Sequence, residues 1–132
     1  MAPLIAVLDD DPAFLNLMNV LLTQEGYQTL AWRENQDALT LIRRERPDLL
    51  IMDLRLVEPE SGWVLLEKLR RDPETLELPV IVCSGDADAL RRNAGVLQAL
   101  RCAVLEKPFD LDDLLETVRR VTAEPGGASA PS

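Results

Sequence analysis

The stretch DLLIMDLRLVEPESGWVLLEKLRRDPETLELPVIVCSG, residues 48–85, carries the pattern that decides the fold. Two of its apolar runs, DLLIM (48–52) and PVIVC (79–83), show no polar alternation. Each therefore reads as a strand buried on both faces. Between them SGWVLLEKLRRD (61–72) reads as a helix, with Ser61 as its cap and Pro73 as its stop. A buried strand, a helix and a second buried strand form one parallel crossover unit.

The same alternation runs outward in both directions. Upstream, PLIAVL contains a strand over about 4–8, and a helix follows from Pro12 to about Glu25. Asp11 fits its N-cap, Pro12 its first position and Gly26 its C′ position, while Phe14, Met18, Leu21 and Leu22 recur at helical spacing. YQTLAW (27–32) alternates as a half-wet edge strand would, and NQDALTLIRRER (35–46) is a helix stopped by Pro47. Downstream, one helix is predicted from about 87 to 100, then the strand CAVLE (102–106). Asp110 caps the last helix with Asp113 at its N3 position, and Leu114, Leu115, Val118 and Val121 form its apolar stripe. Five strand–helix units imply an α/β, flavodoxin-like fold: a five-stranded parallel sheet of order 2-1-3-4-5 with helices on both faces. The domain is expected over 1–122, followed by a disordered, Pro- and Gly-rich tail over 123–132.

Composition narrows the function. At 132 residues and 47 % hydrophobic, the chain can bury one compact core. No apolar run approaches the roughly 18–20 residues that span a bilayer, and no secretory pattern precedes Leu4, so a cytoplasmic protein without membrane contact is expected. Asp and Glu outnumber Lys and Arg by 23 to 14, a balance that disfavours nucleic acid. Histidine is absent, which removes imidazole triads and imidazole metal ligands. Cys83 and Cys102 fall at opposite ends of neighbouring strands, too far apart for a disulfide.

Four strand tips end in polar residues suited to phosphate and metal: Asp9-Asp10-Asp11, Asp53, Ser84 and Lys107. In the predicted sheet all four lie on the carboxyl edge, and the crevice of such folds opens where strands one and three diverge. Asp9, Asp10 and Asp53 would place three carboxylates together. Like charges about 4 Å apart repel by roughly 4 kcal/mol at an effective dielectric of 20, so the cluster calls for a cation. With oxygen ligands alone, a hard divalent ion such as Mg²⁺ fits. Helix capping is the competing explanation. It accounts for Asp11 and partly for Asp10, but not for Asp53 at the end of a buried strand. Lys107 ends an apolar strand and precedes Pro108, a poor place for a solvated charge. Pro108 also permits a cis peptide. Ser84 followed by Gly85 offers a hydroxyl and an open backbone N–H, although such a pair is often only a turn.

The acidic pair after strand one, Asp53 ending strand three, Ser84 ending strand four and "KPF" (107–109) resemble the receiver domain of two-component response regulators. The resemblance covers residues 3 to about 122 and is that of a stand-alone receiver. It implies that Asp53 is the phosphoacceptor, taking a phosphoryl group from a histidine kinase or phosphotransfer protein. It further implies that Asp10 ligates Mg²⁺ directly and Asp9 through water, with Asp53 and the Arg55 backbone carbonyl completing the ligands. Lys107 would neutralise the phosphoryl group and Ser84 would report it. Such a protein is a signalling module and not an enzyme turning over an external substrate. It would act as a monomer or weak dimer on a downstream protein through the face of the fourth helix, fifth strand and last helix, where Arg91, Arg92 and Arg101 offer contacts.

The chain departs from the family pattern in two places. The usual proline four residues after the phosphoacceptor is Val57, the proline is Pro59, and Gly62 comes nine residues after Asp53 instead of eight. The loop RLVEPESG thus carries one extra residue. Three residues before the lysine, where the family has Tyr or Phe as a rotating switch, stands Val104. Arg55 and Asp86 are expected to flank the phosphoryl site, pair across it and slow hydrolysis. Two other readings compete: a phosphorylation-independent module that keeps the scaffold alone, and a small Mg²⁺ phosphohydrolase of the haloacid dehalogenase type. Against the second, Pro12 follows the Asp triplet directly and Lys107 comes after the later acidic motif, GDADA (85–89), instead of before it.

Overall fold

A computed structural model of the chain describes residues 2–33, 38–54 and 61–123. Five strands, β1 Leu4–Leu8, β2 Gln28–Trp32, β3 Leu49–Asp53, β4 Val80–Ser84 and β5 Cys102–Glu106, form one parallel sheet of order β2-β1-β3-β4-β5. Among the described residues six helices accompany them: α1 Pro12–Gln24, α2 Ala38–Glu45, α3 Ser61–Arg71, α4 Ala87–Arg92, α5 Ala94–Ala99 and, after the last strand, α6 Leu111–Ala123. The architecture is the α/β, flavodoxin-like sheet that the alternation predicted.

Period-two alternation in β1 divides the core into two layers. Ile5 and Val7 pack on one face with Leu15, Met18 and Leu22 of α1 and Leu114 and Val118 of α6. Ala6 and Leu8 pack on the other with Ile42 of α2, Leu66 and Leu69 of α3, and Leu90 and Leu97 of α4 and α5. Leu49–Met52 of β3 and all of β4 are buried, which is why those runs lack polar alternation. β2 mixes half-buried with exposed positions and has no fully buried residue, as suits an edge strand.

Several local readings hold. Asp11 caps α1 by accepting from the Ala13 N–H (2.9 Å), and Gly26 ends the helix at φ +93°, a conformation natural to glycine. Asp110 caps α6, accepting from the Asp113 N–H at 2.8 Å. The Ser61 side chain expected to cap α3, residues 35–37 of the second predicted helix and the tail from 124 lie outside the described residues. Both thiols are free, Cys83 near the carboxyl end of β4 and Cys102 opening β5.

Two boundaries are corrected. The strands β3 and β4 run one residue later than predicted, so Asp53 and Ser84 are the last paired residues of their strands. The single helix predicted over 87–100 is two, broken at Asn93. The Asn93 side chain donates to the Ala89 carbonyl (2.8 Å), competing with the helical ladder, and Gly95 weakens helix propensity just beyond.

Gly62 explains itself by what stands against it. A Cβ there would lie 2.7 Å from the Leu54 carbonyl oxygen and 2.9 Å from the Leu54 Cα. The first turn of α3 thus lies directly on the backbone that follows Asp53, and neither side can give way as a side chain could. Gly62→Ala should lower stability by about 1–3 kcal/mol, the usual cost of overpacking, as measured by urea denaturation. Stability within a few tenths of wild type would show that the two backbones are not in enforced contact.

Candidate functional site at the carboxyl edge of the sheet

The sheet order separates β2 and β3 from each other on either side of β1, and the tips of β1 and β3 flank the crevice. Asp9 follows β1 and extends its ladder, its N–H donating to the Trp32 carbonyl at 3.0 Å. Asp53 closes β3, Ser84 closes β4, and Lys107 follows β5 with its N–H on the Ser84 carbonyl at 2.8 Å. The Lys107–Pro108 peptide is cis.

Lys107 Nζ donates to Asp9 Oδ2 and to Asp53 Oδ2, each at 2.9 Å. These partners lie 98 and 54 residues away in sequence. The side chains are sheltered, with 22 % of Lys107, 4 % of Asp9 and 13 % of Asp53 exposed. Two attractions at 2.9 Å oppose a single carboxylate–carboxylate repulsion, so the ammonium holds the like charges together. Burial works against that ammonium. The hydrogen bonds and charges of Asp9 and Asp53 outweigh burial and hold the Lys107 pKa above the ordinary lysine value. The other Asp9 oxygen, Oδ1, accepts from the Asp11 N–H at 2.9 Å, so both oxygens of this carboxylate are engaged by the protein.

Among the described residues, no three acidic or cysteine side chains gather closely enough to enclose a metal ion by themselves. The predicted close triad is instead two carboxylates bridged by an ammonium, with Asp10 beside them and its Oδ1 sealed from solvent. The donors still suit Mg²⁺, which takes oxygen ligands, keeps several waters and commonly uses only one or two carboxylates. Asp10 and Asp53 are the side chains that could hold it. Arg55, whose carbonyl was expected to complete the ligands, lies outside the described residues, as does the loop around Val57 and Pro59.

Ser84 is buried, and its Oγ accepts from the Asp86 N–H at 3.1 Å. Asp86 caps α4 through Oδ1, on the Ala89 N–H at 2.9 Å. Cys83 pairs in register with Asp53, but burial pushes its thiol up to about 12, which keeps it protonated and inert. One participant escaped the sequence reading. The Phe14 ring lies 4.1 Å from Lys107 Nζ, centroid to nitrogen, and meets Phe109 edge-on at 6.2 Å. Phe14 had been counted only as a core position of α1; its place four residues after Asp10, on the helix that opens at the acid cluster, was the available signal.

The response regulator receiver domain profile matches residues 5–119. The chain belongs to the response regulator receiver domain family. Protein PilH of Pseudomonas aeruginosa is 30% identical over 119 residues, spanning 90% of this chain and 97% of that protein. The polar-differentiation response regulator DivK of Brucella anthropi is 30% identical, spanning 87% and 92%. A CheY-like response regulator receiver domain protein from Methanospirillum hungatei superposes with a TM-score of 0.82 at 27% identity, over 93% of this chain and 95% of that one. Receiver domains are signalling proteins that work with histidine kinases or phosphotransfer proteins. No helix among the described residues is long and apolar enough to cross a membrane.

Among the described residues of this receiver the site carries three carboxylates against one ammonium, so removing one charge of either sign is expected to have opposite effects. Without divalent cation, Lys107→Met should lower stability by about 3 kcal/mol, because two sheltered carboxylates lose their shared partner. Asp10→Asn should raise it by about 1 kcal/mol by easing the surplus negative charge. Chemical denaturation of both variants beside wild type reads the two signs. A shift of the same sign in both would show that net charge does not govern this edge.

Proposed function

We propose that the chain is a phosphorylation-dependent signalling module that accepts a phosphoryl group on Asp53. The observation that supports this best is the bridge of Lys107 to Asp9 and Asp53, which joins the tips of three strands around one carboxylate. In the proposed reaction an Asp53 oxygen attacks the phosphorus of a phosphohistidine on a histidine kinase or phosphotransfer protein. The phosphorus–nitrogen bond breaks, the imidazole leaves with its electron pair, and Asp53 carries an acyl phosphate. Lys107, already at Asp53 and held charged, stabilises the negative charge on the transferring oxygens. Asp10 and Asp53, with the Arg55 carbonyl, would hold Mg²⁺, which would supply further charge neutralisation. Asp9 acts through the groups it orients, since its two oxygens hold Lys107 and the turn at Asp11. Ser84 exchanges its hydrogen bond from Asp86 for one to the phosphoryl group and so reports its presence.

The report leaves toward the edge strand β5. Val104, in the position of the usual aromatic switch, is 41% exposed. It lines a cavity of about 590 Å³ with Leu90, Leu97, Arg91, Arg101 and Glu106. This face of α4, α5 and β5 is the proposed docking surface for a downstream protein in the cytoplasm. The alternative, a scaffold that binds partners without phosphorylation, draws on the same Val104 face.

Incubation with Mg²⁺ and acetyl phosphate, followed by intact mass, separates the two readings. One phosphoryl addition is expected in wild type and none in Asp53→Ala. An unmodified wild type under conditions that label another receiver would leave only the scaffold reading. Phosphoryl lifetime is a further readout. Asp86→Ala removes a carboxylate two residues beyond Ser84, and hydrolysis should accelerate several-fold if that group helps shield the phosphoryl from water; an unchanged rate removes Asp86 from this role.

A further inference from the structure

At the amino-terminal edge of the sheet, a cavity of about 150 Å³ is lined by Arg70, Arg101 and Arg120, with Leu76, Glu77 and Ala103 in its wall. Arg70 is fixed there by backbone carbonyls. Its Nε donates to Leu100 O at 2.8 Å, and its Nη1 to Leu78 O at 2.8 Å, Leu76 O at 3.2 Å and Thr75 O at 3.4 Å. Arg101 Nη2 donates to the same Leu76 oxygen at 2.9 Å. Two guanidinium groups therefore grip one carbonyl, and their bonding nitrogens stand no farther apart than those two bonds laid end to end. Arg101 reaches this position from a left-handed backbone, φ +61°.

Like charges held so closely call for an anion, and the protein itself does not supply one at contact distance. Among the described residues none of Arg70, Arg101 and Arg120 forms an ion pair with a carboxylate, although Asp and Glu outnumber Lys and Arg by 23 to 14. Glu77 lines the same cavity without closing to ion-pair distance. Burial acts most strongly against the Arg70 cation and Arg101 adds to it, while Cys102 and Glu77 partly offset them; a bound anion would relieve the remaining cost. Arg70 Nη2 and most of the Arg101 and Arg120 donors have no acceptor among the described residues.

We propose that this cavity is a second anion site of the receiver, taking a compact oxyanion of the phosphate or sulfate class. The size suits a single tetrahedral group, and planar guanidinium forks match its oxygens two at a time. The site is distinct from the phosphoacceptor crevice. Arg101 precedes β5 while Lys107 follows it, and the five residues of that strand separate the two ends by about 17 Å. An oxyanion here would cross-link the end of α3, the segment before β4, the α5–β5 turn and α6.

The test is a titration of the full chain with inorganic phosphate, without divalent cation and at ionic strength held constant with sodium chloride, followed through backbone amide shifts. Saturable shifts are expected at Leu76, Glu77, Leu100 and Arg101, reproduced by sulfate and not by chloride. Arg101→Gln and Arg120→Gln should each weaken binding at least five-fold while keeping a cooperative melt, and Asp53→Asn should leave it unchanged. Arg70 is left intact because it staples the fold. Linear shifts matched by chloride, shifts centred on Ser84 and Lys107, or saturation that persists undiminished in both arginine variants would overturn the proposal.

Discussion

The bridge from Lys107 to Asp9 and Asp53 is the constraint on which the carboxyl edge depends. It joins the chain after the last strand to the tips of the first and third. A buried ion pair is seldom a net source of stability, because desolvation offsets much of the attraction. This one is better understood as fixing position. The ammonium keeps two carboxylates near each other that would otherwise move apart, and the Phe14 ring, itself met edge-on by Phe109, shelters it on another side. Two carboxylates are thereby held together at an edge where their own charges would drive them apart.

Most of the fold was legible because parallel strands buried on both faces cannot carry polar residues. DLLIM and PVIVC read as doubly buried strands, and five strands with a weak second one then favoured the order that the sheet adopts. The site was legible for a related reason. Asp53 and Lys107 interrupt apolar runs where neither capping nor solvation accounts for them, and Ser84 joined them as a weaker sign, since a Ser-Gly pair after a strand is often only a turn. What escaped was whatever depended on three-dimensional contact and not on periodicity. The Phe14 contact with Lys107 looks in sequence like any other core position of α1. The break at Asn93 arises from a side chain bonding its own helix, which an apolar pattern does not register. Arg70 and Arg101 share a carbonyl although 30 residues lie between them in the chain, and arginines on a surface face carry no mark of convergence.

The departures from the family pattern also acquire physical sense. Gly62 comes one residue later than usual, yet it still meets the backbone after Asp53, where a Cβ would strike the Leu54 carbonyl. The close approach of α3 to the end of β3 is therefore kept despite that shift in spacing. Val104 tells the opposite story. It sits on the edge strand with its side chain substantially exposed, where a ring could have rotated between core and surface. Valine has a single χ1 and little reach, so rotation of this side chain cannot carry a signal as an aromatic's would. Any response at β5 must then involve the strand and the short helices packed against it.

Those short helices are suited to that task. α4 begins at Asp86, whose N–H is bonded to the Ser84 hydroxyl, so a shift of Ser84 acts directly on the cap of α4. The helix is only six residues long and is broken at Asn93 before α5 starts, leaving little intrahelical cooperativity to resist a change at its first turn. At the far end, α5 runs into Leu100 and Arg101, which are tied through Arg70 to the segment before β4. The α4–α5 segment is thus anchored at both ends by hydrogen bonds to β4 and its approaches, and is weak in the middle. A displacement introduced at Ser84 would be taken up between these anchors, on the face where Val104 lies, without requiring a rotating ring.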